Sequence, residues 1–410
     1  MEHIDIELPQ GRVQGALDSR FAPLLDAFVD NFKSRGELGA SLALSLEGRP
    51  CVDLWGGHKD RERTEPWEAD TVSLVFSVTK AATALCAHHL MHDGAFELHD
   101  PVRKIWPGFA QAGKEDATVA MMLNHSVGVP AFREPLKPGA YLDWDYMVSR
   151  LEEEAPFWKP GVRNGYHMMS FGWTVGELVR QASGLSLGAY FKTHFADPLG
   201  LDFSIGLGQK DLARVAPMVP YKPGPDAPIT EFTKALLTDP QSISALSLLN
   251  SGGHEANAPA ALAAELGGGG GVSNARSVAG LFAPLAARGG SLFTADEVAR
   301  MGAVSAATQE DATLLIPTRF ALGFMKSMDN RARPFGAIES CVLSETAFGH
   351  VGAGGSLGFA DPACGLAFGY TMNAMGAGLL LNDRGQSLVD ATYACLGHRS
   401  SASGRWLPSA

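Results

Sequence analysis

Strand-forming runs stand at the two ends of this chain and are almost missing between them. Near the start, residues 40–46 and 51–55 are β-rich and flank Glu47-Gly48-Arg49-Pro50, the pattern of a hairpin. Near the end, residues 320–325, 348–351, 357–360 and 366–370 read the same way, the last two flanking Asp361-Pro362-Ala363-Cys364-Gly365. From about residue 76 to 285 the pattern is helical pieces broken by Gly and Pro loops. A sheet that draws strands from both ends of a chain has to close around whatever lies between. The expected fold is therefore α/β (α+β): a discontinuous domain with an antiparallel sheet from residues 1–75 and 286–410, and an inserted, mostly helical domain over 76–285. Amphipathic helices are expected over 19–35, where Phe21, Leu24, Leu25, Phe28 and Phe32 share one stripe, and over 386–395. The cleft between the two domains is the natural place for a site.

At the crossing into the helical part stands Phe76-Ser77-Val78-Thr79-Lys80. It closes an apolar, β-branched run (71–76) and opens a helical pattern that continues through Ala82, Leu85, Cys86 and Leu90 to Asp93-Gly94. A serine where a strand feeds a helix meets free N–H groups and the positive end of the helix dipole, which favour a nucleophile and the oxyanion it creates. Lys80 follows at i+3 and shares Ser77's face, so its amine can reach the hydroxyl. A lysine serves as a base only when burial or a neighbouring cation destabilises its ammonium. Tyr166, in the loop Asn164-Gly165-Tyr166-His167-Met168, can share the task, since a cation beside a phenol favours the phenolate. A third stretch, Phe348-Gly349-His350-Val351-Gly352-Ala353-Gly354-Gly355, ends a strand in small residues. Such an edge lets a substrate lie along it and offers a backbone N–H to complete an oxyanion hole with that of Ser77.

A net charge of −11 and a pI near 5.5 argue against sequence-independent binding to nucleic acid or anionic membrane. Met1-Glu2-His3-Ile4-Asp5 carries acids where a secretory leader carries positive charge, and no apolar run is long enough to span a bilayer. The five cysteines are scattered without C-x-x-C spacing and read as reduced thiols of a cytoplasmic protein.

Ser77-Val78-Thr79-Lys80, Tyr166-His167-Met168 and His350-Val351-Gly352, in this order, resemble the three motifs of the penicillin-recognising serine hydrolases. The nearest likeness is to the family VIII carboxylesterases, relatives of class C β-lactamases. It extends to 123–128, 171–178 and 354–362. The resemblance implies a β-lactamase-like fold, with Ser77 as the acylated nucleophile, Lys80 and Tyr166 as general acid and base, and the backbone N–H groups of Ser77 and Ala353 as the oxyanion hole. His350, Gly352 and Met168 would meet the substrate. His350 stands where lactamases carry a lysine for the substrate carboxylate, and Met168 where they carry an asparagine for its amide. Both departures favour neutral esters of short acyl chains, cleaved without metal or cofactor. The alternatives implied are an amide hydrolase of the same fold (β-lactamase, D-amino-acid peptidase) and a binding protein that forms at most a stable acyl adduct. The expected partner is a small-molecule ester, with no nucleic acid and no membrane; the sequence assigns no oligomeric state.

Other signals are set aside. Gly184-Leu185-Ser186-Leu187-Gly188 and Gly354-Gly355-Ser356-Leu357-Gly358 match G-x-S-x-G, but neither serine lies on a strand-to-helix turn. His88, His89 and His92 lack the glutamate of H-E-x-x-H and read as a solvated helix face. His125 reads as a structural loop residue. Glycines 267–271 read as a mobile loop before a helix capped by Ser273.

Overall fold

The computed structural model describes residues 1–9, 11–225, 227–400 and 406–409. Among them, ten strands form one antiparallel sheet in the order Glu2–Leu8, Gly11–Leu17, Arg49–Gly57, Gly39–Leu46, Leu366–Met372, Leu357–Asp361, Phe348–Val351, Met325–Lys326, Thr318–Phe320, Ala306–Thr308. The two ends of the chain meet at its centre: Leu46 pairs with Leu366 and Ala40 with Met372, and Ser41 and Thr371, 330 residues apart, share a hydrogen bond of 2.8 Å. Helices Ala22–Ser34 and Asp383–Cys395 pack together through a core with Leu24, Phe28, Leu388 and Val389. Helix Ala275–Ala286 crosses the other face. Glycines in the sheet let it approach, since a Cβ on Gly369 would lie 2.2 Å from the Ala275 carbonyl oxygen and one on Gly358 2.5 Å from the Phe282 ring.

A buried ion pair ties the two ends further. Arg384 donates to Glu37 at 2.7 Å and to the Ala374 carbonyl at 2.6 Å, and Tyr370 donates its hydroxyl to the same carboxylate. Both charges are sealed from water. Arg384→Met leaves the Glu37 carboxylate buried beside one phenol, and is expected to cost roughly 3–5 kcal/mol in urea unfolding.

Several elements differ from the sequence reading. The run 71–76 is a strand for only three residues, Val72–Leu74, and joins a small four-stranded sheet with Phe203–Ser204, Val215–Ala216 and Val272–Ser273. Residues 320–325 are not one strand: Gly323, at φ +87°, turns the chain so that Phe320 pairs with Met325. Glycines 267–271 are not a loose loop but are buried between helices Thr79–His92 and Phe171–Ser183. A Cβ on Gly268 would lie 2.5 Å from the Met169 carbonyl oxygen, and one on Gly271 2.6 Å from Thr79 Oγ1. The cap of helix Ala275–Ala286 is Asn274, which accepts from Ser277 N at 2.9 Å; Ser273 ends a strand. His88 is not solvated, because helix Thr79–His92 is surrounded on nearly every side; its Nε2 bonds the Leu322 carbonyl at 2.9 Å. His89 meets Tyr190 and His92 meets Glu297. Among the described residues no cluster could hold a metal ion, and no helix is long and apolar enough to cross a membrane.

Candidate active site

Ser77 lies in the single 3₁₀ turn Phe76–Val78 that links strand Val72–Leu74 to helix Thr79–His92. Phe76 holds φ +45°, a left-handed conformation that a bulky side chain adopts only when its surroundings impose it. The turn is fixed on three sides. Val75 N donates to the Gly271 carbonyl at 2.9 Å, Thr79 Oγ1 to the Phe76 carbonyl, and Ser356 Oγ to the Val75 carbonyl at 2.9 Å. Among the described residues nothing accepts from the N–H of Ser77 or of Ala353. Ala353 is exposed, in the turn after strand Phe348–Val351, and that turn abuts Ser77's own: a Cβ on Gly352 would lie 2.4 Å from the Val75 carbonyl oxygen and 3.3 Å from Phe76 Cβ.

Lys80 is wholly buried, its Nζ 3.0 Å from Ser77 Oγ, 2.6 Å from the Met168 carbonyl oxygen and 2.6 Å from that of Gly268. Burial drives its pKa well below the ordinary lysine value. When the amine is neutral, its two N–H bonds serve the two carbonyls and its lone pair is left for the Ser77 hydroxyl. The buried glycine run is what brings the Gly268 carbonyl to this point.

Tyr166 lies under Lys80, the ammonium 4.7 Å from its ring centroid, and hydrogen-bonds Ser77 through its hydroxyl. Burial pushes the phenol up, with the Asp311 charge adding to it and the Ser77 hydrogen bond opposing, so the phenolate expected beside a cation is disfavoured. Phe320 stacks on the ring at 5.8 Å and 7°. Its backbone is held by Asp311, whose carboxylate accepts from Tyr166 N at 2.9 and 3.1 Å and from the N–H groups of Thr313 and Leu314 at 2.9 Å. Asp311 escaped the sequence reading. Its one local sign, an Asp two residues before Thr313, marks an Asx turn and says nothing of Tyr166, 145 residues away.

Three histidines pack behind Tyr166. His125 accepts from His167 N at 3.2 Å, and His167 Nε2 accepts from Val129 N at 3.1 Å. His350 donates from Nδ1 to the Val351 carbonyl at 2.7 Å, and its buried Nε2 meets no partner among the described residues. Its ring centroid lies 6.0 Å from that of Tyr166. Burial, with Lys80's charge adding to it, lowers the pKa of His167 and of His350 to about 3, and burial lowers His88 to about 4. Because the folded values lie below the unfolded value near 6.5, stability is full above that pH and is lost as pH falls toward the folded values. Each of the three should withdraw on the order of 2 kcal/mol by pH 5. A steep fall of Tm between pH 7 and pH 5 is expected; a flat profile would show that the imidazoles protonate without unfolding.

Met168, half-buried, joins Phe76 and Met375 as apolar side chains packed against the sheet core. The two G-x-S-x-G serines have other duties. Ser356 is sealed beneath the Ser77 turn, and Ser186 caps helix Leu187–Phe191, its Oγ donating to Glu265 at 2.7 Å.

The pattern of the β-lactamase family matches residues 18–391. The esterase/β-lactamase LipL of Mycobacterium tuberculosis is 32% identical over 91% of this chain and 85% of its own. Among solved structures, a family VIII carboxylesterase is 34% identical with a TM-score of 0.82, over 93% of this chain and 99% of the other. A penicillin-binding protein homolog from Caulobacter crescentus is 32% identical with a TM-score of 0.82 over the same shares.

Proposed function

The chain belongs to the β-lactamase family, has its fold and is a serine ester hydrolase, and from that premise we propose that it cleaves short-chain acyl esters through an acyl-enzyme on Ser77. The observation that carries this reading is Lys80, whose two carbonyl contacts leave the neutral amine one direction for its lone pair, toward Ser77 Oγ. Lys80 takes the hydroxyl proton as Oγ bonds to the ester carbonyl carbon. The oxyanion accepts from the N–H groups of Ser77 and Ala353, both without another acceptor among the described residues. As the tetrahedral adduct collapses, the C–O bond to the alcohol breaks and Tyr166, a neutral phenol bonded to Ser77, passes a proton to the departing oxygen and regains one from Lys80. Water repeats the sequence on the acyl-enzyme and frees the acid.

The reading draws its site from both parts of the proposed division: Ser77, Lys80 and Tyr166 from the helical part over 76–285, Gly352 and Ala353 from the sheet part over 1–75 and 286–410. Met168 and Gly352 flank the acyl group, and His350 supports the edge where the substrate lies. The absence of disulfides among the five thiols fits the cytoplasm.

Neither His350, buried and neutral, nor Met168 offers a charge or amide to a carboxylated lactam. p-Nitrophenyl butyrate should therefore exceed nitrocefin in kcat/KM by roughly 10²-fold or more. A ratio near one, or reversed, would move the protein to the amide hydrolases.

A further inference from the structure

At the Phe348 end of strand Phe348–Val351, away from the Gly352 turn that abuts Ser77, a cavity of about 500 Å³ opens between that strand and helix Ala295–Gly302. None of Ser77, Lys80 and Tyr166 lines it. Its walls include Val298, Ala299 and Phe348, and Gly302 makes room for the Phe348 ring, which a Cβ there would meet at 2.6 Å.

Lys326 reaches into this space with its side chain almost wholly buried, 4% exposed as a residue. Among the described residues no carbonyl, hydroxyl or carboxylate accepts from its Nζ, which lies 5.8 Å from the centroid of the Phe348 ring. Buried lysines are normally paired, because an ammonium stripped of water costs far more than a neutral group. Here that cost shows as a pKa lowered by burial to about 8. A second cation, Arg288, lines the same cavity, its Nε donating to the Pro362 carbonyl at 3.4 Å. The acid at the cavity, Glu345, is engaged by Arg319 at 3.0 Å.

An ammonium that feels the charges of Glu345 and Asp361 but donates no hydrogen bond among the described residues, and a guanidinium at the same end, with an apolar wall behind them, match a ligand with one negative charge and a hydrocarbon body. We propose that this cavity is a binding site for an amphiphilic monocarboxylate, its carboxylate on Lys326 and Arg288 and its chain along Val298, Ala299 and Phe348. A bare inorganic anion would leave the apolar wall without a partner, and a neutral lipid would leave Lys326 without one.

The probe is sodium octanoate, titrated calorimetrically into the full chain. One equivalent should bind, at least ten-fold more tightly than 1-octanol, because the charge-assisted contact is made only by the acid. Lys326→Met keeps the length of the side chain and removes the charge, and Ala299→Phe fills the cavity and keeps the charge. Each should weaken octanoate at least ten-fold while thermal unfolding without ligand shows a folded protein. Should Lys326→Met not fold, Ala299→Phe carries the test alone. Octanoate that binds either folded variant as tightly as the wild type sits elsewhere, the Ser77 cleft included, and overturns the proposal. So does a wild type with no isotherm up to about 10 mM.

Discussion

Ser77→Ala should lower the turnover of a short-chain p-nitrophenyl ester by at least about 10⁴-fold and leave the folded protein intact. The hydroxyl is the atom to which the acyl group bonds, so its loss removes the covalent route and not one contribution among many. What survives is the background offered by two oriented N–H groups and by binding. Ser77 is partly exposed in its turn, and the interactions that fix the turn belong to Val75, Phe76, Thr79 and Ser356. Its replacement should therefore leave Tm within about 2 °C. Intact mass spectrometry during turnover should show the acyl increment in the wild type and none in the variant. Activity retained in Ser77→Ala would place the nucleophile elsewhere, although Ser356 is sealed and Ser186 is occupied as a helix cap.

Lys80→Met should depress kcat by roughly 10³-fold, within the range that a positioned base contributes. Methionine matches the length of the stem, but it leaves the Met168 and Gly268 carbonyls without their shared donor, so some stability goes with the activity. The pH profile separates the two effects. The amine works as a base only when neutral, so activity falls as pH drops through the Lys80 pKa, which burial places well below the usual lysine range. That acid limb should be present in kcat/KM for the wild type and absent from the residual rate of Lys80→Met, both measured above the pH at which the buried histidines unfold the chain. An unchanged limb in the variant would assign it to another group.

Which parts of this were legible in sequence follows from how far apart the partners lie. Ser77 and Lys80 share one helical turn, so spacing alone brings them together. Tyr166 and the turn at Gly352 and Ala353 came from motifs whose order along the chain is distinctive. The groups that tune them left no such mark. The Met168 and Gly268 oxygens are main chain, which no side-chain pattern encodes, and Asp311 acts on a backbone N–H far along the chain. Five glycines in a row look the same in sequence whether they float or fill a gap too narrow for a Cβ. Only the helices on either side decide, and here they decide for packing. The strand at 320–325 was lost to a turn that Gly323 could have announced. Of the histidine face only His92 is exposed, because helix Thr79–His92 is enclosed along most of its length, and no periodicity marks a helix that is apolar nearly all round.

The central pairing of the large sheet also sets an order of events in time. Strand Gly39–Leu46 leaves a ribosome long before its partner Leu366–Met372. Until that partner arrives the early hairpin keeps an open edge, a template for any other strand, while the helical middle finds most of its partners within itself and can collapse first. A chain cut short before residue 366 therefore loses more than its end: it is left with an unclosed seam. The slowest step in folding should be the closing of that seam, and nascent or truncated chains should be the ones that self-associate.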